Sequence, residues 1–312
     1  MLSTIMDFRF LFGILSRDAR AILPSMNQKS TPPDADPRTT AELIRMALEA
    51  PDEDAAWKFI ATLEARSDRE VLDSALELCR SSDTARRKLG ARLLGQLGTP
   101  GSGFPDAAFE GLSNLLKHEE NEQVLSAIAF ALGQLDDSRC LDLLLKLKSH
   151  PDAGVRFGVV NGISGQNHPA AIQTLIELSR DEDKETRDWA TFGLGTFIDA
   201  DTPEIRNALA ARLDDSCEET ANEALVGLAR RRDPRALEPL LDALSVEEPD
   251  AIHIEAAMAM GDPALLPALN SIKEHLVNQF SAEAEYLDKA IGSCTKTGSD
   301  KAGTEGLQGQ GT

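Results

Sequence analysis

Histidine, cysteine and carboxylate are the side chains here that could hold a metal or drive covalent chemistry, and their spacing argues against both. The histidines are His118, His150, His168, His253 and His275, and only His118-Glu119 stands in the His-Glu order of a paired metal motif. A two-metal site needs several imidazoles and carboxylates converging from different helices, so one pair does not suffice. Cys79, Cys140, Cys217 and Cys294 are separated by 61, 77 and 77 residues. A disulfide framework or a zinc knuckle calls for closely spaced thiols, so free cysteines in a reducing compartment are expected. No Ser-His-Asp order or glycine-rich phosphate loop is present, and such motifs need a strand-turn-helix setting. The sequence therefore predicts no catalytic residue, no metal and no cofactor.

Charge narrows the field further. Lys and Arg number 32 against 52 Asp and Glu, for a net charge of −20. Nucleic acid and anionic membranes both require a surplus of cations, so neither is an expected partner. The one dense basic spot, Arg230, Arg231, Arg232 and Arg235, falls in a turn and is expected to be a solvated loop balancing nearby acids. Phe8, Phe10, Leu11, Phe12, Ile14 and Leu15 form an apolar cluster too short and too interrupted to span a bilayer or serve as a secretory signal. A cytoplasmic protein is the expectation.

The elements that carry these residues are legible from a repeat. Aromatics make up only 4% of the chain, so its interior must be filled by aliphatic side chains at close helical spacing. Ala55, Arg86, Val124, Val155, Thr186, Thr220 and Ile252 are equivalent positions, at steps of 31, 38, 31, 31, 34 and 32 residues. Eight residues after each stands a large aliphatic residue: Leu63, Leu94, Leu132, Ile163, Leu194, Leu228 and Met260. The preceding column is mostly small (Ala131, Gly162, Gly193, Gly227, Ala259), as close helix contact requires. The following column is rich in glycine (Gly95, Gly133, Gly195, Gly261), which suits a left-handed helix cap. Three residues before the start stand Asp52, Asp83, Asn121, Asp152 and Asp183, side chains that cap helix N-termini for about 1 kcal/mol each.

A second helix follows each first one, with apolar residues at i, i+3 and i+4 and a proline at or near its start in Pro105, Pro169, Pro203, Pro234 and Pro263. Seven helical hairpins result, each with one apolar side that only its neighbours can cover. Extra residues between Thr99 and Pro105 read as a surface loop inserted in the second hairpin. The organisation predicted is an N-terminal segment and proline-rich linker over 1–40, an all-α solenoid over 41–290, and a disordered glycine-rich tail over 291–312.

The rhythm Asp152, Val155-Arg156, then Ala131-Leu132-Gly133, then Asp233-Pro234-Arg235-Ala236-Leu237 resembles HEAT-like repeats of the kind found in phycobilisome lyases. The stretch from Arg187 to Gly195 also resembles the central motif of a group of bacterial HEAT-repeat proteins without assigned activity. The resemblance implies an α-solenoid of the HEAT/armadillo type, with second helices lining a concave face. Such repeats host scaffolds, bilin lyases and metal-dependent hydroxylases alike, so fold does not carry function.

On that scaffold the expected role is a monomeric, non-catalytic protein-interaction surface. Asp73, Glu77, Glu110, Asp142, Glu177, Glu238 and Asp242 flank the apolar stripes of the second helices and would bind a basic segment of a partner protein. Trp189 is a candidate interface anchor, the alternative being a ring that fills the seam to its neighbour. Arg87, Arg156 and Arg187 share a column one residue after the repeat start and are expected to bond acids such as Asp152, Asp183 or Asp215 between repeats. A bilin lyase-like assembly factor is the alternative, and a hydroxylase a more distant one.

Overall fold

A computed structural model describes residues 36–135, 137–246, 249–276 and 287–295. The apolar cluster near the N-terminus and the glycine-rich tail from 296 onward lie outside these residues. Every element among the described residues is helical. The helices are α1 (Thr40–Glu49), α2 (Glu53–Arg66), α3 (Arg69–Leu78), α4 (Thr84–Leu97), α5 (Pro105–Leu116), α6 (Glu122–Gln134), α7 (Ser138–Leu147) and α8 (Ala153–Ile163). They continue as α9 (Pro169–Leu178), α10 (Lys184–Phe192), α11 (Pro203–Ala210), α12 (Glu218–Arg230), α13 (Leu237–Leu244), α14 (Ala251–Met260) and α15 (Leu266–Leu276). From α2 to α15 they alternate as seven hairpins, an all-α solenoid.

The first helices start where the side-chain caps put them. Asp52, Asp83, Asn121, Asp152 and Asp183 each accept a hydrogen bond from the amide three residues on, at 2.8, 2.9, 3.3, 3.0 and 2.8 Å. The last two hairpins do without that device: neither Cys217 nor Asp250 caps a helix-start amide through its side chain. α13 and α15 are entered through short 3-10 turns, Pro234–Ala236 and Pro263–Leu265, capped by Asp233 and Asp262.

Two compact units divide the chain, 1–162 and 163–312, with the boundary at the end of the first helix of the fourth hairpin. In the first unit, α2, α4 and α6 pack in succession, and α3, α5 and α7 each pack against these first helices. The same alternation runs through α10, α12 and α14 in the second unit. The aliphatic column Leu63, Leu94, Leu132, Ile163, Leu194, Leu228 and Met260 is buried throughout. On the second helices the i+3 column, Ala75, Leu112, Leu144, Leu175, Ala208, Leu240 and Leu269, is buried in every hairpin. Its i+4 neighbours Leu76, Leu145 and Leu241 are only half-buried.

The glycine column departs from the expectation. Of these glycines only Gly261 is a left-handed cap, with φ 61°, at the end of α14. Gly95 and Gly133 lie within helices. A Cβ on Gly133 would fall onto the Gly162 Cα of the next first helix, and one on Gly227 would lie 2.7 Å from the Gly195 Cα. Each glycine thus faces the small column of the following repeat, where two helix backbones meet without side chains between them. The other end also differs from the reading: residues 287–295 are helical and Cys294 is buried, so the helix passes the expected boundary at 291.

Candidate functional site

The arginine column is built the same way at Arg87 and Arg187. Arg87 donates from Nε and Nη2 to both Glu119 carboxylate oxygens, at 2.6 and 3.0 Å, and from Nη1 to the Ser81 and Ser82 carbonyls. Arg187 does the same to Asp215, at 3.0 and 3.1 Å, and reaches the Asp181 carbonyl at 2.8 Å. Arg156 donates to the His150 and Pro151 carbonyls, both at 2.9 Å. At Arg87 and Arg187 the guanidinium therefore ties the turn that precedes its own helix to the turn that precedes the next. Glu119, the carboxylate of the only His-Glu pair, is committed to this structural contact.

A column that sequence reasoning missed sits two residues before the first-helix caps of the second to sixth hairpins. Ser81, Glu119, His150, Asp181 and Asp215 each accept a hydrogen bond from the amide of the helix-capping residue, at 3.1, 3.0, 3.1, 2.9 and 3.0 Å. The common requirement is a lone pair at one point, which a hydroxyl, a carboxylate or an imidazole can meet. That is why no residue pattern shows it.

Burial pushes the Glu119 carboxyl pKa up, but hydrogen bonds from Arg87 and the Asn121 amide outweigh it, so the group titrates below its ordinary value. Asp215 follows the same logic, with Arg187 and the Cys217 amide prevailing over burial. Burial pushes the thiols of Cys79 and Cys140 up to about 12 and that of Cys294 up to about 11. These are not nucleophiles near neutrality. All four cysteines are free and buried, and no group of three His, Cys, Asp or Glu among the described residues is placed to hold a metal ion.

The arginine-rich turn is not the solvated loop expected of it. Arg231 is half-buried and donates to the carbonyls of Leu194, Gly195, Ile198, Ala200 and Gly227, at 2.7 to 3.3 Å. The reason lies in the preceding hairpin, where α10 ends in a π turn, Gly193–Phe197, with Ile198 N bonding Gly193 O at 3.2 Å. A widened turn leaves carbonyls without helical partners, and a guanidinium is the one side chain with enough donors to collect them. Burial lowers the Arg231 pKa. Arg230 pairs with Glu255, and Arg235 with Asp233. Arg206 bridges Asp201 and Asp233.

Trp189, on α10, is half-buried with its ring edge-to-face on Phe192, at 5.7 Å between centroids, and Phe192 in turn meets Phe197 at 5.0 Å. The seven candidate acids are all exposed: Asp73 and Glu77 on α3, Glu110 on α5, Asp142 on α7, Glu177 on α9, Glu238 and Asp242 on α13. Asp73 pairs with Arg69 on its own helix and Glu177 accepts from Gln173. Among the described residues, Glu77, Glu110, Asp142, Glu238 and Asp242 enter no ion pair.

In the first unit a cleft of about 530 Å³ opens between α3 and α5. Leu76, Ala107, Gly111 and Leu115 give it apolar walls, and Arg80, Arg87, Glu110, Asn114, His118 and Glu119 its polar ones.

Residues 109–195 and 172–261 match the family model for HEAT repeats. Over residues 109–261 the chain is built of HEAT repeats. It is 28% identical to protein YibA of Escherichia coli over 216 residues, spanning 67% of this chain and 76% of that protein. The crystal structure of YibA superposes with a TM-score of 0.68 at 24% identity, covering 89% of this chain and 97% of the other. An engineered protein of known structure matches with a TM-score of 0.51 at 17% identity, over 90% and 82% of the two chains. These likenesses concern the fold. Among the described residues no helix is long and apolar enough to cross a membrane.

Proposed function

We propose that the chain is a non-catalytic interaction scaffold whose second-helix acids receive a basic segment of a partner protein. One observation carries the reading: the acids divide into two populations. Glu119, Asp215 and Asp233 are nearly buried and held by arginines, whereas Glu77, Glu110, Asp142, Glu238 and Asp242 are exposed and, among the described residues, unpaired. A solvated carboxylate that neighbours no cation is free to attract one, which speeds encounter and favours basic partners.

HEAT repeats support a scaffold in general, and the finer claim rests on these side chains. The reading calls for no cofactor and takes the protein to act as a monomer in the cytoplasm, supported by four buried, unbridged thiols.

The test reverses Glu77, Asp142, Glu177 and Asp242 to lysine in one variant. Association with a fluorescein-labelled oligolysine peptide, followed by stopped flow, should slow by at least about tenfold. An unchanged rate in a variant that keeps its helical circular dichroism would discard the proposal.

A further inference from the structure

The cleft between α3 and α5 has a direction. Glu110, Asn114 and His118 follow one another at intervals of four residues, so they line one edge of α5 and its C-terminal turn. Ala107, Gly111 and Leu115 form the parallel apolar edge. Across from them Leu76 and Arg80 are also four apart, with Arg80 just beyond the end of α3. The acid therefore stands toward one end of the cleft, and Arg80 and His118 toward the other. Arg87 and Glu119 lie at the same cationic end but neutralise one another. Among the described residues the side chains of Arg80 and His118 have no partner, in a chain whose net charge is −20. Asn114 accepts from Lys117 through its carbonyl oxygen, which leaves its amide group to donate.

We infer that this cleft takes the free C-terminus of a peptide that ends in an apolar residue and carries a basic residue about three positions earlier. The inference rests on the reading of the protein as a receptor for basic segments and names what one cleft selects. The terminal carboxylate meets Arg80 and His118, the last side chain lies on Leu76, Gly111 and Leu115, and the upstream cation meets Glu110. Length sets the spacing: eight residues of helix from Glu110 to His118 span about 12 Å. An extended peptide advances about 3.3 Å per residue, which places the cation three to four residues from the carboxylate. The cleft is lined about equally by polar and apolar surface, so an occupant has to bring both charge and an apolar side chain.

The test uses the full chain and two probes, acetyl-Lys-Ala-Ala-Leu with a free carboxyl and its C-terminal amide, titrated by NMR. The free acid should bind at least about tenfold tighter than the amide, because amidation removes a charge-assisted hydrogen bond of that scale. Arg80→Gln should abolish that preference while leaving the circular dichroism unchanged, since Arg80 is exposed. Equal affinity for acid and amide, or binding of neither, overturns the inference. A separate variant with Asp142, Glu177 and Asp242 reversed to lysine leaves the cleft intact. Oligolysine association slowed in that variant, with no preference for the free acid in the wild type, would sink this inference and spare the broader proposal. The opposite pair of results would sink the broader proposal alone.

Discussion

Asp215 shows how much of a repeat junction can hang on one carboxylate. It accepts from Arg187, from Arg212 and from the Cys217 amide, and its side chain is almost wholly buried. Asp215→Asn leaves a half-buried guanidinium without its counter-charge and should cost about 1.5–3 kcal/mol in urea denaturation. The pH dependence has a definite sign. Glu119 and Asp215 both titrate lower in the folded chain than their ordinary values. Their contribution is therefore complete above the unfolded carboxylate range, about pH 4, and drains away as the pH falls through the folded values. Thermal midpoints measured downward from pH 5 should fall, and the Asp215→Asn chain should fall less steeply than the wild type. At Arg231 the stake is larger, because five carbonyls would be deprived of their donor at once. Arg231→Met should destabilise by at least about 3 kcal/mol, read from the same denaturation curves.

At the level of the helix, the decisive contacts are those where no side chain stands. Gly133→Ala would push a methyl onto the Gly162 backbone. Overpacking between rigid helices typically costs about 1–3 kcal/mol. Gly103, in the inserted loop of the second hairpin, has open space around it, so Gly103→Ala should leave the melting temperature unchanged. A Gly133→Ala variant as stable as that control would show that α6 and α8 do not approach as described. These glycines also mark the limit of what the sequence discloses. Caps and aliphatic stripes repeat within one hairpin, so Asp52, Asp83 and Leu94 reveal their roles locally. The meaning of Gly133 depends on Gly162, one repeat away, and without that partner a glycine near a helix end reads as a cap. The candidate site was legible to a similar degree. The exposed acids follow from helical phase alone, whereas the cleft depends on how α3 and α5 stand beside each other, which no spacing encodes. The arginine-rich turn was misread for the same reason: most of the carbonyls that Arg231 serves belong to the distant π turn and the residues just after it.

For the molecule as a whole, the charge of −20 sets the conditions under which the proposed recognition operates. The exposed acids act through solvent, where salt screens them over about 8–10 Å. Raising ionic strength from about 50 to about 500 mM should slow association with an oligolysine peptide and leave its dissociation rate nearly unchanged, in parallel stopped-flow measurements. A dissociation rate that rises while association holds steady would point to short-range contacts instead. The turns between repeats carry a further implication for how such chains diverge. Ser81, Glu119, His150, Asp181 and Asp215 occupy one geometrical slot with hydroxyl, carboxylate and imidazole. A joint that asks only for an electron pair can exchange its chemistry freely, so two descendants could keep every angle of the scaffold while comparison by residue identity finds nothing held in common there.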